Sequence, residues 1–365
     1  MVLDVAVRPR TGSDRTPRII PSRHLILTAD VAPEVPRSRA AEESAGTVHA
    51  YRYFLGDQPD PHSPQRAIGP AIVLSRGEPV GVTVRNRLPE ATSVHWHGIE
   101  LDNYFDGVAG IGTDGHRISP MIEPGQEFEA MFTPPHAGTF IDHTHMNDLE
   151  QVMAGLSGPL IVLNPDEILD AARDHIIFIT QPRSSVDEDK FVFVNGMNPP
   201  ELLDLTEGVK HRFRIVNLHT FMANLKIEIK DESSLLSWRA LANDGRDLPK
   251  NQQTVRRAQQ VVSIGEIYDF EFIPDKPADY RLEIFDPIFR KGNEYCSNSC
   301  AKAELKPGTG GASARFECGT GSLKFLTNNF YASGADDCRH LQATLAGGAI
   351  LQAASARRSL LWNHR

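Results

Sequence analysis

The sequence predicts an all-β protein with two domains, each a β-sandwich or barrel. Short apolar runs alternate with polar residues, and turns rich in glycine, proline and asparagine separate them at the spacing typical of these folds. The run "PVGVTVRNR" shows the pattern, because Val80, Val82 and Val84 alternate with other residues as in a half-buried strand. A chain of 365 residues also exceeds the usual size of one hydrophobic core.

Composition divides the chain into four segments. Residues 1–22 are polar, arginine-rich and aperiodic, which indicates a flexible arm. A first β-rich series spans 23–165, and a second spans 166–288, with a short helix predicted for "PDEILDAARD" where they meet. Residues 289–365 are rich in glycine and serine and lack clean periodicity. We expect them to form an irregular tail that need not belong to the same fold.

The cysteines are unevenly distributed along the chain. Residues 1–295 contain none, and all the cysteines lie in the last quarter, at Cys296, Cys300, Cys318 and Cys338. Their spacing does not match the paired C-x2-C arrangement of a structural zinc site. Both β-rich series are therefore expected to fold without disulfides or thiolate ligands, and the cysteines receive no functional assignment.

Charge and hydropathy exclude two classes of partner. The formal net charge is −9, and no basic patch interleaved with aromatic residues is present, so nucleic acid is not an expected partner. No run approaches the ~18 consecutive apolar residues typical of a membrane-spanning helix. The basic N-terminus is not followed by an apolar segment, so we expect no secretory signal in this chain.

Two H-x-H pairs are the sequence motifs that indicate a chemical function. "SVHWHG" contains His95 and His97, and "DHTHMND" contains His143 and His145. Alternation along a strand places residues i and i+2 on one face, with Cα atoms ~6.6 Å apart. Neutral imidazole suits copper, zinc, iron and nickel, whereas magnesium and calcium prefer oxygen ligands. A single such pair also arises by chance or in a core, but two pairs together predict a transition-metal site.

Three histidines of the second series, His175, His211 and His219, show no paired or convergent pattern. We expect them to be surface or hydrogen-bonded residues and not ligands.

Longer stretches around the H-x-H pairs resemble a known family. "GEPVGVTVRNRLPEATSVHWHGIELDNYFDG" and "PGQEFEAMFTPPHAGTFIDHTHMNDLEQVMAGLSGPLIV" are similar to the first histidine-bearing cupredoxin domain of laccase-like multicopper oxidases. Residues 166–288, with "FRIVNL", "RALANDGRDLP" and "IGEIYDFEF", look like the next cupredoxin domain of bacterial members. The resemblance covers 70–288 well and 23–69 loosely, and it does not extend to either end. It implies two cupredoxin-like Greek-key domains.

The resemblance also implies a copper site. In the family, eight histidines from two cupredoxin domains hold a trinuclear copper cluster that reduces dioxygen to water. By motif position His95 corresponds to the type 2 copper ligand, and the other histidines of the two pairs, His97, His143 and His145, correspond to type 3 ligands. Asp106 in "NYFDG" occupies the place of an acidic residue that delivers protons for oxygen reduction. An ordinary Asp-Gly turn explains Asp106 equally well.

Other family features are missing from the chain. A type 1 copper needs a cysteine flanked by histidines, and "DDCRHLQ" around Cys338 lacks the preceding histidine. The chain is therefore expected to supply half of a cluster. A complementary cupredoxin domain or subunit, or self-association, would supply the rest, and we favour a truncated or split gene product. The resemblance implies dioxygen as substrate and a periplasmic or extracellular location, but it identifies no electron donor.

Two other functions compete with an oxidase. One is a non-enzymatic copper-binding protein, and the other is a mononuclear cupin-type enzyme in which Glu100 joins His95 and His97. A cupin adds a single later histidine, whereas this chain adds a second pair, which disfavours that class. Asp142 stands where the family usually has an aromatic residue. We expect it to be structural, with its side chain directed away from His143.

Overall fold

The computed structural model describes residues 19–32, 50–61, 67–112, 117–181, 192–197, 203–231, 234–276, 278, 280–287 and 301–307. All the cysteines, and most of the predicted arm and tail, lie outside these residues. In the described part, strands dominate and the α-helical content is a single short helix. No helix among the described residues is long and apolar enough to cross a membrane.

Strands β1 to β8 form the amino-terminal half. Their bounds are β1 Arg23–Val31, β2 Tyr51–Leu55, β3 Ile72–Ser75, β4 Val80–Asn86, β5 His95–His97, β6 Glu127–Phe132, β7 Gly138–His143 and β8 Ser157–Leu163. A 3-10 helix covers Asn103–Phe105, and helix α1 covers Asp148–Met153. The strands form two sheets, ordered β2-β1-β4-β6 and β3-β8-β7-β5. Between the sheets lies a core that includes Trp96, Phe132 and Phe140.

Strands β9 to β21 form the rest of the described chain. Their bounds are β9 Asp174–Thr180, β10 Phe193–Val194, β11 Leu203–Leu205, β12 His211–Asn217, β13 Asn224–Asp231, β14 Ser234–Leu235, β15 Ser237–Asn243, β16 Arg246–Asp247, β17 Val255–Arg257, β18 Gln259–Ser263, β19 Ile267–Phe272, β20 Tyr280–Phe285 and β21 Ala301–Pro307. One sheet runs β10-β9-β12-β19-β15-β16, with β17 also paired to β15. The other runs β11-β21-β20-β13-β14, with β18 also paired to β13. A second core, which includes Phe213, Trp238 and Phe270, packs between them.

The all-β prediction is confirmed, but the structure differs from it in two places. The helix predicted for "PDEILDAARD" is wrong, because residues 165–173 form turns and irregular backbone. Ile168 in this segment is 85% exposed, so the segment has no buried apolar face to stabilise a helix. Residues 301–307, inside the predicted irregular tail, form β21, which pairs antiparallel with β20.

The second β-rich series packs directly against the strand that carries the second histidine pair. The Asp244-Gly245 turn lies on β7, where a Cβ atom at Gly245 would overlap the ring of Phe140. Farther along β7, the hydroxyl of Thr139 donates a hydrogen bond to Asp269 on β19 at 3.0 Å. A small apolar cluster joins Ile141 on β7 to Phe178 on β9. These contacts place the second series beside the histidine-bearing sheet.

Candidate metal centre

The two histidine pairs lie on neighbouring antiparallel strands. In the register of β5 and β7, His95 is directly opposite His143. Trp96, between the two histidines of β5, is fully buried, while His95 and His97 are half-buried. The alternation of a strand thus places the tryptophan in the core and both imidazoles on the opposite face.

The histidines converge on one point. A ligand nitrogen of each of His95, His97 and His143 lies within 4.8 Å of the others. The ring of His145 lies beside them, with its centroid 5.5 Å from that of His95 and 6.0 Å from that of His143. The structure therefore brings together all four histidines that the sequence singles out.

Backbone carbonyls orient two of the imidazoles. Nδ1 of His95 donates to the carbonyl oxygen of Asp106 at 3.0 Å, and Nδ1 of His143 donates to the carbonyl oxygen of Thr144 at 2.6 Å. A proton held on Nδ1 in this way makes Nε2 the unprotonated nitrogen, which is the form that binds a metal ion.

Burial keeps the imidazoles of this cluster neutral. It lowers the pKa of His143 to about 3, and the neighbouring imidazoles add to this effect. Burial also lowers the pKa of His97. At neutral pH these side chains are neutral imidazoles, the form required of a transition-metal ligand. A set of converging neutral imidazoles fits copper.

Asp106 lies beside this cluster. It follows the 3-10 helix, and its carboxylate Oδ2 is 3.3 Å from Nδ1 of His95. The next residue, Gly107, has a φ of +81°, and a Cβ atom there would overlap the carbonyl of Val94. Asp106 therefore belongs to an Asp-Gly turn pressed against the start of β5, and the same turn brings its carboxylate to the cluster.

The cupin-type alternative is not supported. Glu100 pairs with Arg246, and its side chain is 62% exposed. It is absent from the group of converging ligand atoms, which consists of imidazoles.

Asp142 occupies a different environment from the neighbouring histidines. It is 1% exposed, and burial raises the pKa of its carboxyl to about 7. Its carboxylate faces Gly158 on β8, where a Cβ atom would lie 3.2 Å from Oδ1.

Residues of the second β-rich series also lie beside the histidine cluster. This contact was not predicted from the sequence. A Cβ atom on Gly265, in the turn between β18 and β19, would lie 3.4 Å from Cε1 of His97. The negative charge of Asp244 raises the pKa of the same imidazole, against the larger lowering by burial. The motif "RALANDGRDLP" contains Asp244, but nothing in its spacing indicates that it approaches His97.

Two further histidines, His175 and His211, form a buried hydrogen-bonded pair, which agrees with the prediction that they are surface or hydrogen-bonded residues. Nε2 of His175 lies 3.0 Å from Nδ1 of His211, and the rings stack. The backbone N–H of Thr206 lies 3.0 Å from Nε2 of His211. The sequence gives no sign of this pair because strands β9 and β12 meet only in the folded sheet.

A family model described as multicopper oxidase matches residues 64–167, the region that contains both histidine pairs. Over the region that holds both histidine pairs, the chain is similar to multicopper oxidases. Laccase-1 of Cryptococcus neoformans var. grubii is 37% identical over 129 residues, which cover 34% of this chain and 18% of the laccase. Copper resistance protein A of Pseudomonas syringae pv. tomato is 37% identical over 113 residues, 31% of this chain and 17% of that protein. The match thus spans less than a quarter of either relative.

Solved multicopper oxidases share the fold over a longer stretch. The blue copper oxidase of Nitrosomonas europaea superposes with a TM-score of 0.57 at 19% identity, covering 78% of this chain and 86% of that one. The multicopper oxidase McoA of Aquifex aeolicus superposes with a TM-score of 0.58 at 18% identity, covering 79% and 62%. These neighbours establish a cupredoxin-type β fold for this chain. Proteins of the family use copper, and the histidine cluster is compatible with copper ligands.

Proposed function

We propose that this chain is a copper-binding component of a multicopper oxidase that couples one-electron oxidation of a donor to reduction of dioxygen to water. It supplies half the ligands of a trinuclear cluster, with His95 as the type 2 ligand and His97, His143 and His145 as type 3 ligands. Bound copper supplies the one-electron redox chemistry and the place where dioxygen is reduced. The convergence of His95, His97 and His143 on one face of β5 and β7, with the His145 ring beside them, is the observation that supports the proposal.

Asp106 serves this reaction as a proton carrier. Its side chain is 24% exposed, so the carboxylate contacts both solvent and the Nδ1 edge of His95. Reduction of dioxygen to water consumes protons, and a carboxylate in this position passes them from solvent toward the centre. The backbone carbonyl of Asp106 separately holds the His95 ring.

The remaining ligands and a type 1 copper come from a complementary cupredoxin domain or subunit, or from self-association. The short span of the match to the curated relatives supports such an arrangement. Following the family resemblance, we propose a periplasmic or extracellular location.

Copper counting combined with oxygen uptake tests the proposal. The purified chain is loaded with Cu(II), copper per chain is measured, and oxygen uptake is followed with a broad electron donor. If self-association completes the cluster, we expect about three coppers for every two chains, because eight imidazoles serve one cluster. Replacing the four proposed ligands by alanine should abolish copper binding. Retained copper in that variant would contradict the proposal, whereas His24→Ala, which removes an exposed imidazole elsewhere, should leave binding unchanged.

A second candidate, a non-enzymatic copper-binding protein, is favoured by one observation. Among the described residues the only group of three or more converging ligands is the one around His95. Copper bound by the four histidines without oxygen uptake, at any protein concentration, would support this candidate over the oxidase.

A further inference from the structure

A single buried amide joins the two histidine-bearing segments. Oε1 of Gln151, on helix α1, accepts a hydrogen bond from the hydroxyl of Thr92 at 2.8 Å and another from the hydroxyl of Thr144 at 2.7 Å. Thr92 lies three residues before His95, and Thr144 lies between His143 and His145. The Gln151 side chain thus connects the two H-x-H pairs from the side opposite the metal ligands.

Every polar atom of this amide has a partner. Its Nε2 donates to the backbone carbonyl of Ala91 at 2.9 Å, while Oε1 accepts both hydroxyls. The side chains of Gln151, Thr92 and Thr144 are fully buried. Because the amide donates on one side and accepts on the other, it is held in a single orientation.

The backbone on both sides of the amide is also fixed. Thr92 exchanges two backbone hydrogen bonds with Ile122, at 3.0 and 2.9 Å. The backbone N–H of Thr144 donates to the carbonyl of Leu156 at 3.0 Å, and Asn147, with a φ of +48°, caps the start of α1 two residues after His145. The pairing of β5 with β7 places His95 opposite His143, and the amide ties together the segments that flank this pairing, before His95 and after His143.

We propose that Gln151 is a positioning residue that holds the segments flanking the paired histidine strands and thereby refines the geometry of their copper centre. The inference rests on the proposed function, because it takes the four histidines to be ligands of one centre. A glutamate would lose the donor to Ala91, and an asparagine is one methylene shorter. Metal centres require their ligands within about 0.5 Å of the productive geometry, and such an amide supplies that constraint.

Substitutions that remove only hydrogen bonds test this role. Gln151→Met and Thr144→Val should each weaken Cu(II) binding about tenfold or more, measured by competition with a chelator. The electron paramagnetic resonance spectrum of the bound copper should change with them. Thr144→Ser keeps the hydroxyl and should restore both properties.

Thr139→Val is the matched control. Thr139 is also a buried threonine of the same segment, and its hydroxyl bonds to Asp269 and Arg214 instead of to the amide. Loss of the Thr139 hydroxyl should lower the unfolding temperature as Thr144→Val does. The Thr139→Val variant should leave the copper affinity and the spectrum of bound copper unchanged. Equal copper binding in Thr139→Val, Thr144→Val and Gln151→Met would overturn the inference.

A measurement on the copper-free protein separates this inference from the proposed function. The ring resonances of His95 and His143 in nuclear magnetic resonance spectra should move in Gln151→Met and Thr144→Val and stay in place in Thr139→Val. Unmoved resonances would refute the positioning role even if copper binds. Moved resonances in a protein that binds no copper would support the role and refute the copper function. If Gln151→Met does not fold, Thr144→Val gives the same test.

Discussion

The carboxylate of Asp106 lies 3.3 Å from Nδ1 of His95, and the backbone carbonyl of the same residue accepts the hydrogen bond from that nitrogen at 3.0 Å. One residue therefore orients the imidazole through its backbone and presents a titratable group through its side chain. Because the backbone contact does not depend on the side chain, substitution separates the two roles.

The first prediction follows from this separation. Asp106→Asn should leave Cu(II) affinity close to that of the wild type, because the carbonyl that holds His95 is retained. In a preparation that consumes oxygen, the same variant should lower the rate about 100-fold, since a positioned proton carrier contributes about that much. Oxygen uptake and chelator competition on one sample measure the two effects. Loss of copper together with activity would show that the side chain holds the ligand.

Each histidine pair could be predicted from the sequence because it depends on a local rule, whereas the meeting of the two pairs depends on the pairing of β5 with β7. Alternation along β5 fixes which face His95 and His97 share, and this does not depend on the rest of the fold. The approach of Gln151 to Thr92 could not be predicted, because the two are 59 positions apart and meet only through the path of the chain after β7.

The same reasoning explains why the sequence does not reveal that His175 and His211 contact each other. Each is an isolated histidine in the sequence, and they meet because parallel strands β9 and β12 are neighbours. Strand order is a property of the whole sheet, so residue spacing within one strand carries no information about it.

The second prediction concerns the buried ion pairs behind β7. Asp269, 1% exposed at its side chain, contacts Arg212 at 2.5 Å and Arg214 at 3.4 Å. Asp269→Ala should lower the free energy of unfolding by about 3 to 5 kcal/mol, because it leaves buried guanidinium charge without this partner. Urea unfolding of the copper-free protein measures the loss.

An exposed carboxylate gives the control for this prediction. Asp57 pairs with Arg85, but its side chain is 64% exposed, so Asp57→Ala should cost less than about 1 kcal/mol. Similar losses in the two variants would mean that the buried pairs contribute no more than a surface pair.

The third prediction is a pH dependence of stability. Burial, together with His211 alongside, lowers the pKa of His175 from 6.5 to about 4. Between these values the unfolded chain binds a proton that the folded chain does not, so stability present at pH 7 is lost as pH falls from about 6.5 to about 4. The loss should reach about 3 kcal/mol.

Unfolding of the copper-free protein in urea across this pH range checks the third prediction. His175→Gln should show a smaller decline in unfolding free energy between pH 6.5 and pH 4 than the wild type. His24→Gln, which removes an imidazole that is 63% exposed, should decline as the wild type does. If the unfolding free energy of His175→Gln declines with falling pH as steeply as that of the wild type, the buried pair does not cause the pH dependence.

The fourth prediction compares two glycines with the same backbone conformation. Gly245 and Gly208 have φ values of +72° and +71°, so alanine is strained at either position, by roughly 1 to 2 kcal/mol. At Gly208 nothing lies within 4 Å of an added Cβ, whereas at Gly245 the Cβ would overlap the ring of Phe140 behind the histidine strand. Gly245→Ala should therefore lower the unfolding free energy by clearly more than Gly208→Ala, and it should also weaken Cu(II) binding. Equal losses in the two variants, with copper affinity intact, would mean that the Asp244-Gly245 turn does not support the metal centre.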